Sequence, residues 1–176
     1  MKEYTRRNTL RLQGYDYSRA GTYFITICAK NSEAMFGKIV ENKMKLSEYG
    51  KIAEQELQKT AEIQNLDLSQ FVIMPNHVHF IVTITKPQPV GADAKSARTS
   101  SSKSAQVSSP KSSAKSISIS SFVRSYKAAL SRKLGFSLWQ RSFYDRVIQC
   151  EEEHKIIARY IINNPSTWAK DKFYCL

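Results

Sequence analysis

Apolar residues along the chain fall into short blocks, each bounded by a turn or a cap. Thr22-Tyr23-Phe24-Ile25-Thr26-Ile27-Cys28 is rich in β-branched and aromatic residues and predicts a strand launched after Gly21. Phe36 to Val40 and Lys43 to Leu46 predict two shorter strands around the turn Glu41-Asn42. Ser47 is placed to cap a helix running to about Gln64, in which Ile52, Ala53, Leu57 and Ile63 recur at helical spacing and Asn65 ends the pattern. Phe71 to Met74 and His77 to Ile84 flank Pro75-Asn76 and predict a hairpin or two closely linked strands. From Ser118 to Leu134, Phe122, Val123, Tyr126, Leu130 and Leu134 mark one face of a helix that Gly135 closes. Leu138 to Tyr144 is a short aromatic and basic stretch. A last helix runs from about Glu151 to Asn163 or Asn164, with Glu151, Glu152 and Glu153 favouring its N-terminal dipole and Pro165 stopping it.

This pattern breaks between Lys86 and about Ser116, where ten serines and three prolines occur without an aromatic residue. Such a segment cannot bury enough apolar area to order itself, so residues 86–117 are expected to form a flexible Ser/Lys-rich insertion in one domain spanning 1–176. Its charges are six positive to one negative, leaving a second use open: a basic tether along a phosphate backbone. No run of about 18 apolar residues exists, so no membrane partner is expected. Cys28, Cys150 and Cys175 form no CxxC pair, which argues against a disulfide scaffold or a cysteine zinc site and suits a reduced, cytoplasmic setting. The net charge of +12 favours a polyanion, since each phosphate neutralised releases counterions.

The segment Pro75-Asn76-His77-Val78-His79 carries the clearest chemistry. On a strand, residues i and i+2 share a face, so His77 and His79 would stand as parallel imidazoles able to chelate one divalent ion while Val78 faces the core. Two polar rings within an apolar run are costly without partners. The alternative is an ordinary pair of surface or hydrogen-bonded histidines. Two ligands make a weak site, and a third donor must come from elsewhere. The chain has no HExxH and no conspicuous Asp/Glu cluster of the two-metal nuclease kind. If the ion polarises a phosphate, tyrosine is the abundant nucleophile. Among the tyrosines, Tyr160 lies on a predicted helix with a ligand-capable residue, Asn164, one turn on. Equally, Tyr160 could belong to an amphipathic stripe with Ile156, Ile157 and Ile161.

Taken together these segments resemble the HUH single-tyrosine (IS200-like) transposases. Met74-Pro75-Asn76-His77-Val78-His79 is similar to that family's His-hydrophobic-His strand. Gly14-Tyr15-Asp16-Tyr17, Tyr23-Phe24-Ile25-Thr26, Trp139 to Tyr144 and Tyr160 to Pro165 resemble the branch associated with repetitive extragenic palindromes. That branch often carries a histidine where this chain has Arg146. The resemblance implies an α+β fold, an antiparallel four- to five-stranded sheet with helices packed on it. It implies Mg²⁺ or Mn²⁺ on His77 and His79, Asn164 as third ligand and Tyr160 as nucleophile. The implied reaction cuts and rejoins single-stranded DNA through a 5′-phosphotyrosine link, next to a DNA hairpin, in a bacterial nucleoid-associated protein that is a monomer or homodimer. Backbone and base contacts would come from Arg6, Arg7, Arg11, Arg124, Lys127, Arg132, Lys133 and Arg141, with Trp139 and Tyr144; each could instead be a solvated or core residue. Two other functions fit the same sequence: a catalytically silent or domesticated nucleic-acid-binding protein, and a metal-dependent phosphodiesterase that uses water.

Overall fold

A computed structural model of the chain describes residues 19–85 and 118–174. The insertion at 86–117, the motif Gly14-Tyr15-Asp16-Tyr17 and the candidates Arg6, Arg7 and Arg11 lie outside the described residues. Six strands, β1 (Gly21–Cys28), β2 (Gly37–Val40), β3 (Lys43–Leu46), β4 (Asp67–Ile73), β5 (His77–Ile84) and β6 (Tyr144–Ile148), alternate with three helices, α1 (Glu48–Ile63), α2 (Ile119–Leu134) and α3 (Glu151–Asn163). Four strands form one antiparallel sheet in the order β4-β5-β1-β6, and β2 pairs with β3 in a separate ribbon.

Period-two alternation gives the sheet two faces with different partners. Tyr23, Ile25 and Ile27 of β1 and Val78, Phe80 and Val82 of β5 join the main core with α1 and α2. Phe24 and Ile81 point the other way, onto Ile157 and Ile161 of α3. His77 and His79 share the parity of Ile81 and therefore face the α3 side. The register places Thr26 opposite His79 and Cys28 opposite His77.

Local signals explain most boundaries. Glu41 and Asn42 both adopt positive φ (51° and 59°), as a two-residue hairpin turn requires. Ser47 caps α1 by accepting from the Gly50 amide and donates to the Met35 carbonyl. A Cβ on Gly50 would lie 2.1 Å from the Phe36 carbonyl oxygen, so glycine lets the helix start press against that backbone. Ser118 and Ser121 form a reciprocal capping box on α2, and Gly135 ends it with φ 79°.

Four details depart from the sequence pattern. β4 begins at Asp67, four residues before Phe71: its outer positions Asp67 and Ser69 face solvent and read as loop. β6 has no apolar block because it is an edge strand with Tyr144 and Arg146 outward. Pro165 ends the α-helix but not the winding, since a 3-10 segment Asn164–Lys170 follows with proline in its first turn, where no amide donor is needed. Ile63 is 71% exposed, because it sits at the last position of α1, past the core face.

Candidate active site

β5 carries His77 and His79 into a site closed by α3 and by the chain that follows it. Both imidazoles are buried beneath the rings of Phe173, 4.7 Å from His77, and Trp168, 5.8 Å from His77. The rings are not parallel, as strand geometry alone suggests, but tilted at 69°. Their Nδ1 partners set that tilt. Asn76 Oδ1 lies 2.8 Å from His77 Nδ1, and Thr26 Oγ1 lies 2.7 Å from His79 Nδ1. The two Nε2 atoms consequently converge to 2.9 Å.

Proton positions follow from the donor inventory. Asn76 Nδ2 donates to the carbonyls of Phe173 (2.8 Å) and Ser32 (3.3 Å), so its oxygen is the atom that faces His77. An amide oxygen only accepts, so His77 Nδ1 carries the proton and its Nε2 presents a lone pair. The Thr26 hydroxyl can donate to or accept from His79 Nδ1. When it accepts, the His79 proton sits on Nδ1 and both Nε2 lone pairs point at one spot.

Tyr160 reaches the same spot from α3. Its hydroxyl lies 3.2 Å from His79 Nε2 and donates to Asp171 Oδ2 at 3.0 Å. Asn164, one turn further along and fully buried, donates through Nδ2 to the same carboxylate oxygen at 2.9 Å. Asp171 Oδ1 accepts from the Phe173 amide. Asp171 is thus a hub for the phenol and the amide. No periodicity marks it, because it lies beyond the last helix and acts through tertiary placement. Tyr160 is 39% exposed and Ile156 66%, while Ile157 and Ile161 are buried, so the stripe turns its tyrosine toward the imidazoles rather than into the core. An open cavity of about 240 Å³ lined by Tyr160, Thr167, Lys170, Asp171 and Lys172 adjoins the tyrosine and brings two lysines to its lining.

The donor set fits a divalent cation. Two nitrogens bound to one ion at about 2.1 Å and at right angles are about 3 Å apart, close to the observed spacing. One donor atom from each of His77, His79 and Asp171 lies within 4.8 Å of the others. Asn164 Oδ1 is buried without a hydrogen-bond partner, an orphaned acceptor that a cation would satisfy. Burial lowers the pKa of His77 to about 4, with Asp171 acting in the opposite direction; burial and then the neighbouring His77 hold His79 well below its ordinary value. Both rings are therefore neutral near pH 7, the state that binds metal. Burial and then the Asp171 carboxylate push the Tyr160 phenol above its ordinary pKa, so it is held as a protonated donor.

The depressed histidine has a thermodynamic consequence. Below pH 6.5 the unfolded chain takes up a proton at His77 that the folded chain refuses until about pH 4. Metal-free protein should therefore lose stability as pH falls through that window, by about 3 kcal/mol from His77 alone. Urea denaturation in EDTA at pH 7 and pH 4.5 measures it. Equal stability at the two values would mean that the imidazoles are solvated.

The other predicted contact residues are dispersed. Arg124, Lys127, Trp139 and Arg141 line one cavity between α2 and the 137–143 segment. Trp139 is also a core residue, packed on Phe36 and Tyr126. Lys133 is engaged with the buried Glu56 carboxylate at 2.6 Å while staying half-exposed, and Arg132 beside it is exposed. The Tyr144 ring is exposed beneath the Lys172 ammonium, 4.3 Å from its centroid. Arg146 pairs with Glu153 at 2.6 Å.

An antiparallel sheet thus turns a His-Val-His strand toward a helix-borne tyrosine. The chain belongs to the IS200-like transposase family, whose model matches residues 18–131. It is 34% identical over 174 residues, 96% of this chain and 93% of the relative, to a Haemophilus influenzae protein described as uncharacterized. Among solved structures it is similar to a REP-associated tyrosine transposase bound to a REP hairpin, with a TM-score of 0.61, 18% identity, and coverage of 98% of this chain and 77% of that one. It is also similar to a putative transposase from Deinococcus radiodurans R1, with a TM-score of 0.47, 20% identity, and coverage of 87% and 95%. The family match takes in His77 and His79 but ends before Tyr160, Asn164 and Asp171, whose roles rest on geometry. Among the described residues no helix is long and apolar enough to cross a membrane.

Proposed function

We propose that the protein cuts and rejoins single-stranded DNA through a covalent tyrosine link, with Tyr160 as nucleophile. One observation carries this reading: the Tyr160 hydroxyl, His79 Nε2 and His77 Nε2 meet in sequence at 3.2 and 2.9 Å, although they come from a strand and a distant helix. Mg²⁺ or Mn²⁺ held by His77, His79 and the Asn164 side-chain oxygen would supply Lewis-acid polarisation of a phosphate oxygen. Asp171 holds the phenol and the Asn164 amide in register and is placed to take the phenolic proton. Lys170 and Lys172 at the cavity mouth draw the DNA backbone toward the hydroxyl. The Tyr160 oxygen forms a bond to phosphorus and the bond from phosphorus to the 3′-oxygen breaks. That oxygen takes a proton to leave a free 3′-hydroxyl, while the 5′-phosphate stays on tyrosine. The reverse step rejoins strands without ATP, because the phosphodiester energy is kept in the link.

The DNA substrate is proposed to include a hairpin beside the cut, in line with the REP hairpin held by the structural neighbour. The test incubates the full chain with 5′- or 3′-labelled single-stranded and hairpin oligonucleotides and Mn²⁺ or EDTA, then resolves them on a denaturing gel. A metal-dependent adduct that keeps the fragment 3′ of the cut is expected. Metal-dependent cleavage with no adduct would favour water as nucleophile, and binding without cleavage would favour a silent binding protein.

A further inference from the structure

The cavity between α2 and the 137–143 segment lies outside the tyrosine site and has a volume of about 530 Å³. Its lining includes the cations Arg124, Lys127 and Arg141 and no acidic residue. Lys127 is half-buried and donates to the carbonyls of Gln140 and Ser142, both at 2.8 Å, and burial lowers its pKa to about 8. Its ammonium thus meets dipoles rather than a carboxylate. Trp139 is 7% exposed, and its indole Nε1 is buried without a hydrogen-bond partner. The ring packs on Phe36 and Tyr126, so Trp139 belongs to the core floor beneath the cavity rather than to a stacking platform. The half-buried Phe143 ring and the small side chain of Ala128 complete an apolar wall. Three cations and an apolar wall suit a ligand with a phosphate and a flat apolar face.

The cavity also adjoins the catalytic end of the sheet. The Gln140 amide donates to the Cys28 carbonyl at 2.9 Å, and Cys28 is paired across the sheet with His77. Burial raises the Cys28 thiol to about 11, and Lys172 and Lys127 both act against that rise, so both ammonium groups are felt at the end of β1. A strand crossing that end would pass from Lys172 at the tyrosine site to Lys127 at the cavity.

We infer that this cavity receives one unstacked nucleotide of the single strand whose phosphate lies at the tyrosine site: its phosphate on the Arg124, Lys127 and Arg141 side, its base toward the Phe143 and Ala128 wall. The inference deepens the proposed function and rests on it for the identity of the strand. Base and aromatic contacts of this kind are sequence-tolerant and strong enough to show in affinity.

The experiment uses the full chain with Tyr160→Phe, so that binding is read without cleavage. Fluorescence anisotropy compares (dT)12 with a 12-mer of the same phosphate count but wholly abasic. The (dT)12 strand should bind about 10-fold tighter or more, and Ala128→Phe, which fills the cavity, should bring the two together. In case Ala128→Phe does not fold, Arg141→Ala supplies a second arm. It should weaken (dT)12 binding about 10-fold, and Arg132→Ala, which removes an exposed cation on α2 outside the cavity, several-fold less. Equal binding of the two probes by the parent, a base preference that survives Ala128→Phe in folded protein, or equal losses for Arg141→Ala and Arg132→Ala would overturn the inference. So would saturable binding of thymidine monophosphate tighter than that of (dT)12, which would make the cavity a site for free nucleotides. A DNA adduct formed by the chain with Tyr160 intact alongside any of these would remove the cavity's role while leaving the tyrosine chemistry standing.

Discussion

Tyr160→Phe is expected to abolish the covalent DNA adduct and to lower strand cleavage by at least about 1000-fold, because it removes the attacking oxygen and leaves everything else in place. The ring itself has little to lose. It sits edge-on to Phe24 at 6.2 Å, is partly exposed, and loses only a hydroxyl that serves His79 and Asp171. Stability should change by about 1 kcal/mol or less. DNA binding should persist, since the cations at the cavity mouth and along α2 are untouched. A denaturing gel with labelled oligonucleotide separates these effects, and a thermal melt checks the fold. An adduct of undiminished yield in Y160F would mean that another tyrosine attacks, and Tyr144, exposed near Lys172, would be the next to replace.

The site was legible in sequence to the extent that its parts obey short-range periodicity. His77 and His79 share a face because a strand repeats every two residues, and Tyr160 and Asn164 share one because a helix repeats every 3.6. Both pairs stand where that spacing puts them, and they converge because β5 is central while α3 crosses its outer face. Thr26, Asn76 and Asp171 were not legible. Thr26 meets His79 only through the β1-β5 register, Asn76 acts as an acceptor only because its amide is spent on two carbonyls, and Asp171 arrives on a segment with no regular period. The tilt of the imidazoles belongs with these, being fixed by the partners of their Nδ1 atoms rather than by the strand. Lys133 is a further case: its helical position suggests a solvated or DNA-facing cation, and nothing in that spacing shows that its half-exposed ammonium pairs with a buried carboxylate on α1.

That supporting layer matters because the Nδ1 partner of each imidazole bears directly on its tautomer. His77 is fixed by Asn76, whereas His79 depends on a hydroxyl that can play either role. The metal-binding form of the pair is the one in which Thr26 accepts. The cation, the tautomer and the strand register are thus coupled, and a change on β1 should be felt by a ligand set carried on β5.

The second large effect is therefore expected at the metal. His77→Ala or His79→Ala leaves one imidazole where two had converged, and Mn²⁺ affinity should fall by at least about 100-fold, with adduct formation lost at micromolar metal. Thr26→Val separates orientation from ligation. It keeps a β-branched side chain on β1 and removes no ligand, but takes away the partner of His79 Nδ1 and frees the ring to keep its proton on Nε2. Affinity should drop by about 10- to 100-fold, and excess Mn²⁺ should restore cleavage in Thr26→Val but not in His79→Ala. Titration calorimetry or Mn²⁺ electron paramagnetic resonance reads the affinity, and the adduct gel reads the rescue. If His77→Ala and His79→Ala bind Mn²⁺ as tightly as the parent, the cation sits elsewhere; if Thr26→Val is as inactive at high Mn²⁺ as the histidine variants, the hydroxyl does more than orient the ring.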